Sequence, residues 1–266
     1  MGPTESDELL VTLDAGVLTL VLDRPASRNA LSLRMLDALA AALDDGLERE
    51  DVRVIVLTGA GSAFCAGGDV ATFARGESIF GPMDEPGQRL KRQTESQRAT
   101  VVRLWESPKP TIALLNGPVV GAGLGLALAC DLRIAAASAV LRTGFVRVGL
   151  AGDFGCSWLL TQAVGAAKAK ELLYLSETVP AESARELGLV NEVVADERLT
   201  ERGMAIARRL AEGPGEALAA VKANVANALR NGLAECADDE VRAHVRLLGS
   251  RYHRDAVAAM ARRRST

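Results

Sequence analysis

Asp153 stands in the stretch Gly149-Leu150-Ala151-Gly152-Asp153-Phe154-Gly155, a carboxylate set among small and apolar neighbours just before a helix-like run. Partial removal from water would raise its pKa and strengthen it as a base. One such group can take a proton from one carbon and return it to another. The competing reading is a cap on a helix starting near Phe154, and the two roles are compatible. Two glycine-rich turns, Gly59 to Asp69 and Gly117 to Gly123, come next, each after an apolar strand-like run. They put small residues where backbone must come close to something, and a helix start offers unpaired N–H groups at a positive dipole end. Two such N–H groups from two loops are the usual makings of an oxyanion hole. Glycines that only permit a tight bend would look the same.

Other chemistries fit poorly. Gly121, Gly123 and Gly125 give G-x-G-x-G instead of the dinucleotide fingerprint, and no P-loop Lys-Ser/Thr occurs. The four cysteines, Cys65, Cys130, Cys156 and Cys236, form no C-x-x-C pair and no zinc spacing, which reads as reduced thiols in a cytoplasmic protein. Cys65 and Cys156 lie near the candidate chemistry but have no base at hand, and read as core. His244 and His253 both sit near the C-terminus, which argues against a His-dependent triad or a multi-His metal site. A net charge of −3 and 3% aromatic residues give no field and few platforms for nucleic acid. No apolar run is long enough to span a membrane and no secretory signal is read. Met1-Gly2 with Ser6 formally fits a myristoylation pattern, in the poor context of Pro3.

The elements that must position these residues form an α/β pattern over 266 residues. Residues 9–22 read as two strands around an Asp-Ala-Gly turn, and a helix from Leu31 takes Ser32 as its cap. Residues 52–59 and 109–117 read as buried strands, residues 75–90 as a loop, and the chain from there to Leu104 as helix. Residues 121–131 read as a small-residue helix and 132–144 as a return to strand; from Gly155 the pattern is mostly helical. A division follows, with an α/β core over residues 1–198 and a helical region over 199–266 that covers something, often a neighbouring subunit.

"RPASRNALS" (24–32), "VIVLTGAGSAFCAGGDV" (54–70), "KPTIALLNGPVVGAGLGLALACDLRIAA" (109–136), "GLVNEVV" (188–194) and the ending "HRDAVAAMARRR" resemble, in order and spacing, the crotonase or enoyl-CoA hydratase/isomerase family. The resemblance implies a spiral of ββα turns and a C-terminal helical region that mediates trimerisation, often as a dimer of trimers. It implies an acyl-CoA thioester as ligand and no separate cofactor, since coenzyme A is part of the substrate. The oxyanion donors would be the N–H groups of Ala66 and Ala122. Ala26, Arg28 and Ala30 would lie near the CoA chain, and Ala63, Gly67, Gly68, Asp69 and Val70 along the first loop. Gly123, Gly125 and Phe145 would border the acyl group, and the tail arginines Arg251, Arg254 and Arg262 to Arg264 would face solvent or the CoA phosphates.

Simple hydratases of the family carry two glutamates, and the matching positions here are Gly125 and the Gly144-Phe145 pair. Both carboxylates are missing, which argues against adding water by that route. A glycine at 125 is expected to leave acyl-binding space. Asp153 falls where family isomerases of the phenylacetate-degradation type carry an aspartate, so the resemblance implies an enoyl-CoA isomerase with Asp153 as its base. The rivals are a hydratase, a dehalogenase that would need an active-site histidine absent before residue 244, and a non-catalytic acyl-CoA-binding protein.

Overall fold

A computed structural model describes residues 8–264, with the side chains of Val70, Arg263 and Arg264 left aside. The Met1-Gly2 pattern lies outside the described residues. Strands β1 (Leu9–Asp14) and β2 (Val17–Leu22) pair antiparallel through a two-residue loop. Ala15 and Gly16 both adopt positive φ, the twist a tight hairpin of right-handed strands requires. Helix α1 (Leu33–Glu48) begins where expected, with the Ser32 hydroxyl accepting the Met35 N–H at 3.0 Å. It buries Met35, Leu36, Leu39 and Leu43, one stripe at helical spacing.

The chain then repeats a pattern. Strand β3 (Val54–Gly59) lies parallel to β2 and leads through the first glycine loop to α2 (Val70–Ala74). Helix α3 (Pro86–Gln97) runs through a wide π turn at Arg98–Val102 into α4 (Arg103–Glu106). Strands β4 (Thr111–Leu115) and β5 (Val119–Val120) feed α5 (Ala122–Ala129). Strands β6 (Leu132–Ala136) and β7 (Val140–Arg142) feed α6 (Cys156–Leu175). Strands β8 (Val179–Pro180) and β9 (Glu192–Val194) bracket α7 (Ala181–Glu186). The strands form one six-stranded sheet in the order β1-β2-β3-β4-β6-β9 and a small sheet in the order β5-β7-β8, so that β4 and β6 lie in the large sheet and the strands that follow them, β5 and β7, in the small one. So 132–144 is two strands in two sheets, and the stretch after Gly155 holds two short strands that its helical pattern concealed. The fully buried run Thr111–Leu115 is what a parallel strand covered on both faces requires.

The boundary expected at residue 198 is not a packing boundary. Helix α8 (Leu199–Ala211) packs on β2, β3, β4 and β6. Gly203 lies so close to Leu114 that a Cβ there would sit 2.3 Å from its side chain, and Ala207 is fully buried. Helices α9 (Gly215–Ala228), α10 (Leu233–Leu248) and α11 (Arg251–Arg264) follow, and α10 buries no residue completely. Leu233, Val241, Val245 and Met260 are all exposed on these helices. None of the described helices is long and apolar enough to cross a membrane.

Candidate active site

The two glycine loops are held edge to edge by backbone. Cys65 bridges to β5, its N–H donating to the Pro118 carbonyl at 3.2 Å and its carbonyl accepting the Val120 N–H at 2.9 Å. A Cβ on Gly67 would sit 2.6 Å from the Val120 carbonyl oxygen and 3.4 Å from the Ala122 nitrogen. With φ at +84°, residue 67 therefore needs glycine for both space and conformation.

This packing corrects the expected donor pair. The Ala66 N–H is already donated to the Arg28 carbonyl at 2.9 Å. Gly68 is the alternative on the same loop. In its bridge to Leu31, the Leu31 N–H reaches the Gly67 carbonyl at 2.8 Å, which leaves the Gly68 N–H outside the pairing. Ala122 is the first residue of α5, where a helix N–H has no partner inside the helix. Among the described residues neither the Gly68 nor the Ala122 N–H makes a hydrogen bond.

Several of the expected ligand-contact residues make scaffold contacts. Ala63 is fully buried, and its carbonyl accepts the side-chain amides of Asn29 at 2.8 Å and Asn116 at 3.1 Å. Asp69 caps α2, accepting the Ala71 N–H at 3.0 Å, and pairs with Arg24 at 3.5 Å. A Cβ on Gly123 would meet the Cys65 carbonyl oxygen at 2.6 Å. Gly125 opens no acyl space, because Phe154 fills it: a Cβ there would lie 2.3 Å from the Phe154 carbonyl oxygen. Phe145 is buried between Gly121 and Gly152. Ala30 is buried, while Ala26 and Arg28 remain exposed on the turn before α1. Val70 begins α2, and its side chain is not among those described.

The sequence reading passed over Asn29 and Asn116. The Asn29 amide also donates to the Ala60 carbonyl at 2.9 Å, and its oxygen accepts the Arg24 N–H, which ties the 24–30 turn to the first loop. A buried asparagine with φ at +56° is the signal that would have found it, but only backbone angles reveal it.

Asp153 lies in a cleft of about 640 Å³ between α3, the π turn, α4 and the start of α6. Leu90, Val101, Trp105, Trp158 and Leu159 give it an apolar wall. The two tryptophans meet edge to face with ring centroids 5.0 Å apart. Helix α6 starts at Cys156 with Gly155 before it and no side-chain cap, so Asp153 is not spent on capping. Its Oδ2 accepts from Gln93 Nε2 at 3.3 Å, and its Oδ1 is buried without a hydrogen-bond partner among the described residues. Burial pushes its pKa up from 3.8 to about 6.

The Asp153 loop adjoins the head of α5. Phe154 packs on Gly125, one turn in from Ala122, and the Cys156 thiol donates to the Gly121 carbonyl at 3.3 Å. The residues expected at the CoA end, from Ala26 to Val70, do not line the Asp153 cleft. Among the described residues no group of three or more His, Cys, Asp or Glu could hold a metal ion.

Comparison with known proteins decides the family. Residues 12–265 match the family described as Enoyl-CoA hydratase/isomerase. This chain belongs to the enoyl-CoA hydratase/isomerase family. It has the crotonase fold, with an α/β core and a helical C-terminal region. The 1,2-epoxyphenylacetyl-CoA isomerase of Escherichia coli K12 is 38% identical over 97% of this chain and 96% of its own. The 4-chlorobenzoyl coenzyme A dehalogenase-2 of an Arthrobacter species is 32% identical over 97% and 92%. The crystal structure of an enoyl-CoA hydratase from Polaromonas sp. JS666 superposes with a TM-score of 0.86 at 31% identity, covering 96% of this chain and 97% of that one. The relatives thus include an isomerase, a dehalogenase and a hydratase, each named for a coenzyme A thioester.

Proposed function

We propose that this enzyme binds an unsaturated acyl-CoA thioester, stabilises its enolate and shifts the double bond by moving a proton with Asp153. The observation that carries the reading is the Asp153 carboxylate, with one oxygen held by Gln93 and the other buried and unpartnered in an apolar cleft. A carboxylate of raised pKa at a cleft with an apolar wall suits proton abstraction next to a thioester. The charge that forms moves onto the thioester oxygen, and the Gly68 and Ala122 N–H groups are the donors we assign to it. Neither needs to reorganise, since both are fixed by the edge-to-edge loops. No cofactor is invoked; coenzyme A arrives with the substrate.

A hydratase of the two-carboxylate type fits less well. The first of its positions has no room for a side chain at Gly125, and the second is the buried ring of Phe145. We read the exposed apolar residues of α9 to α11 as a face toward other copies in a trimer or a dimer of trimers, and the four free thiols as cytoplasmic.

The test is a 3-enoyl-CoA in deuterated water, with conversion to the 2-enoyl isomer and deuterium uptake followed for the wild type and Asp153→Asn. Isomerisation by the wild type and its loss in the variant support the reading. Binding without exchange in either protein leaves a non-catalytic acyl-CoA-binding protein, and full activity of the variant removes Asp153 as the base.

A further inference from the structure

Helix α3 carries two glutamines four residues apart, Gln93 and Gln97, which share one face of the helix. Both reach the same loop. Gln93 Nε2 donates to Asp153 Oδ2 at 3.3 Å, and Gln97 Oε1 accepts the Phe154 N–H at 3.0 Å. Gln97 thus fixes the backbone immediately after the base, while Gln93 holds one of its two carboxylate oxygens. The other oxygen is buried from solvent and has no hydrogen-bond partner among the described residues. With one oxygen tethered to α3, the carboxylate is held in one orientation at the cleft.

We propose that Gln93 is a positioning residue for the base: its amide holds Asp153 Oδ2, fixes the carboxylate at the cleft and sustains its ionised form. This rests on the proposal that Asp153 is the base. An amide N–H donated to a carboxylate favours the charged form, and burial opposes it. The charged and titratable groups around Asp153 are Arg98 after α3, Glu106 in α4, Arg230 after α9 and the Cys156 thiol of α6. The displaced titration of Asp153 has burial as its cause, and Gln93 is the side chain that hydrogen-bonds its carboxylate among the described residues. Turning the amide over would set its oxygen against the carboxylate, so the donating orientation is the stable one.

The test compares pH profiles of 3-enoyl-CoA isomerisation for the wild type, Gln93→Leu, Gln93→Glu and Asp153→Asn. No residue of α3 is fully buried, so these replacements leave the packed core untouched, and a thermal melt of each variant checks this. Gln93→Leu removes a donor to the charged form, so the acidic limb of kcat/KM should move up by roughly half to one pH unit. The plateau kcat should fall about tenfold, with KM little changed. Gln93→Glu brings a like charge to Asp153 and should move the limb further in the same direction. A limb that stays in place in both variants overturns the proposal, even where kcat falls, because a merely structural role would lower kcat without moving the limb. Wild-type activity in Asp153→Asn would instead sink the reading of the base itself, and the role of Gln93 with it.

Discussion

Gly125 and Phe154 are packed backbone to backbone: a Cβ on residue 125 would stand 2.3 Å from the Phe154 carbonyl oxygen and 2.8 Å from the Phe154 Cβ. Phe154 is itself buried and follows the proposed base directly. The contact therefore couples the interior of α5 to the position of Asp153. Gly125→Ala gains helix propensity of about 1 kcal/mol but forces this contact apart. We expect a net loss of about 1–3 kcal/mol, read as a lower Tm, together with reduced isomerisation, because the loop that shifts carries the base. Gly125→Glu should lose more stability and gain no hydratase activity. Hydration of a 2-enoyl-CoA by a folded Gly125→Glu protein would show that the pocket yields where we say it is full.

Asp153 should leave a signature in stability as well as in rate. Its folded pKa is raised from 3.8 to about 6 by burial. In the window between those values the unfolded chain ionises the carboxyl while the folded chain keeps it protonated, so stability is lost as pH rises through it. Above about pH 6 the full penalty of a buried carboxylate is present; below about pH 4 it is gone. Asp153→Asn should therefore be more stable than the wild type at pH 7.5 by on the order of 1–3 kcal/mol. The advantage should shrink steadily as pH falls from 6 to 4. Denaturant unfolding at a series of pH values checks this, and a pH-independent difference would mean that Asp153 is not desolvated.

Much of this scaffold could be read from the chain because local chemistry decided it. The Ser32 cap, the Ala15-Gly16 hairpin loop and the apolar strands follow from side-chain type and spacing at short range. The raised pKa of Asp153 has the direction its apolar sequence neighbours suggest, but Leu150 and Ala151 are exposed and the wall beside it is built in part by the distant Leu90, Val101 and Trp105. Other features depend on partners far along the chain. The Ala66 N–H looked free until Arg28, at 2.9 Å, was seen to take it. Gln93 and Gln97 stand some sixty residues from the loop they hold, on a helix whose face shows no apolar stripe that would orient it. Helix α8 read as part of a separate tail because nothing in its amphipathic pattern says which surface it covers.

The thiols give a prediction independent of any substrate. Burial pushes Cys65 and Cys130 up to about 12, and raises Cys156 further with help from the Asp153 charge. A thiol held protonated and out of contact with solvent does not alkylate. Cys236 on α10 is half-buried. Brief treatment of the folded protein with iodoacetamide at pH 8 should modify Cys236 alone, and all four should react after unfolding. Mass spectrometry of peptides distinguishes these outcomes. Early labelling of Cys156 would mean that the Asp153 loop opens to solvent in the folded state.

The assignment of the oxyanion donors can be tested without disturbing the fold. Ala122 is the first residue of α5, where proline is well accommodated because its missing N–H has no helical acceptor. Gly121 before it has φ +56° and ψ −122°, a conformation that glycine tolerates and that keeps the preceding turn unchanged. Ala122→Pro thus removes one proposed donor and little else. We expect kcat to fall on the order of 10²–10³-fold, with Tm within a few degrees of the wild type and binding of a saturated acyl-CoA retained. Ala66→Pro makes the contrast. It deletes the N–H that holds the Arg28 carbonyl, so it should lower Tm, because it breaks a scaffold bond between the 24–30 turn and the first loop. A large rate loss in a fully stable Ala66→Pro protein, with Ala122→Pro unimpaired, would return the donor to residue 66 and reverse our assignment.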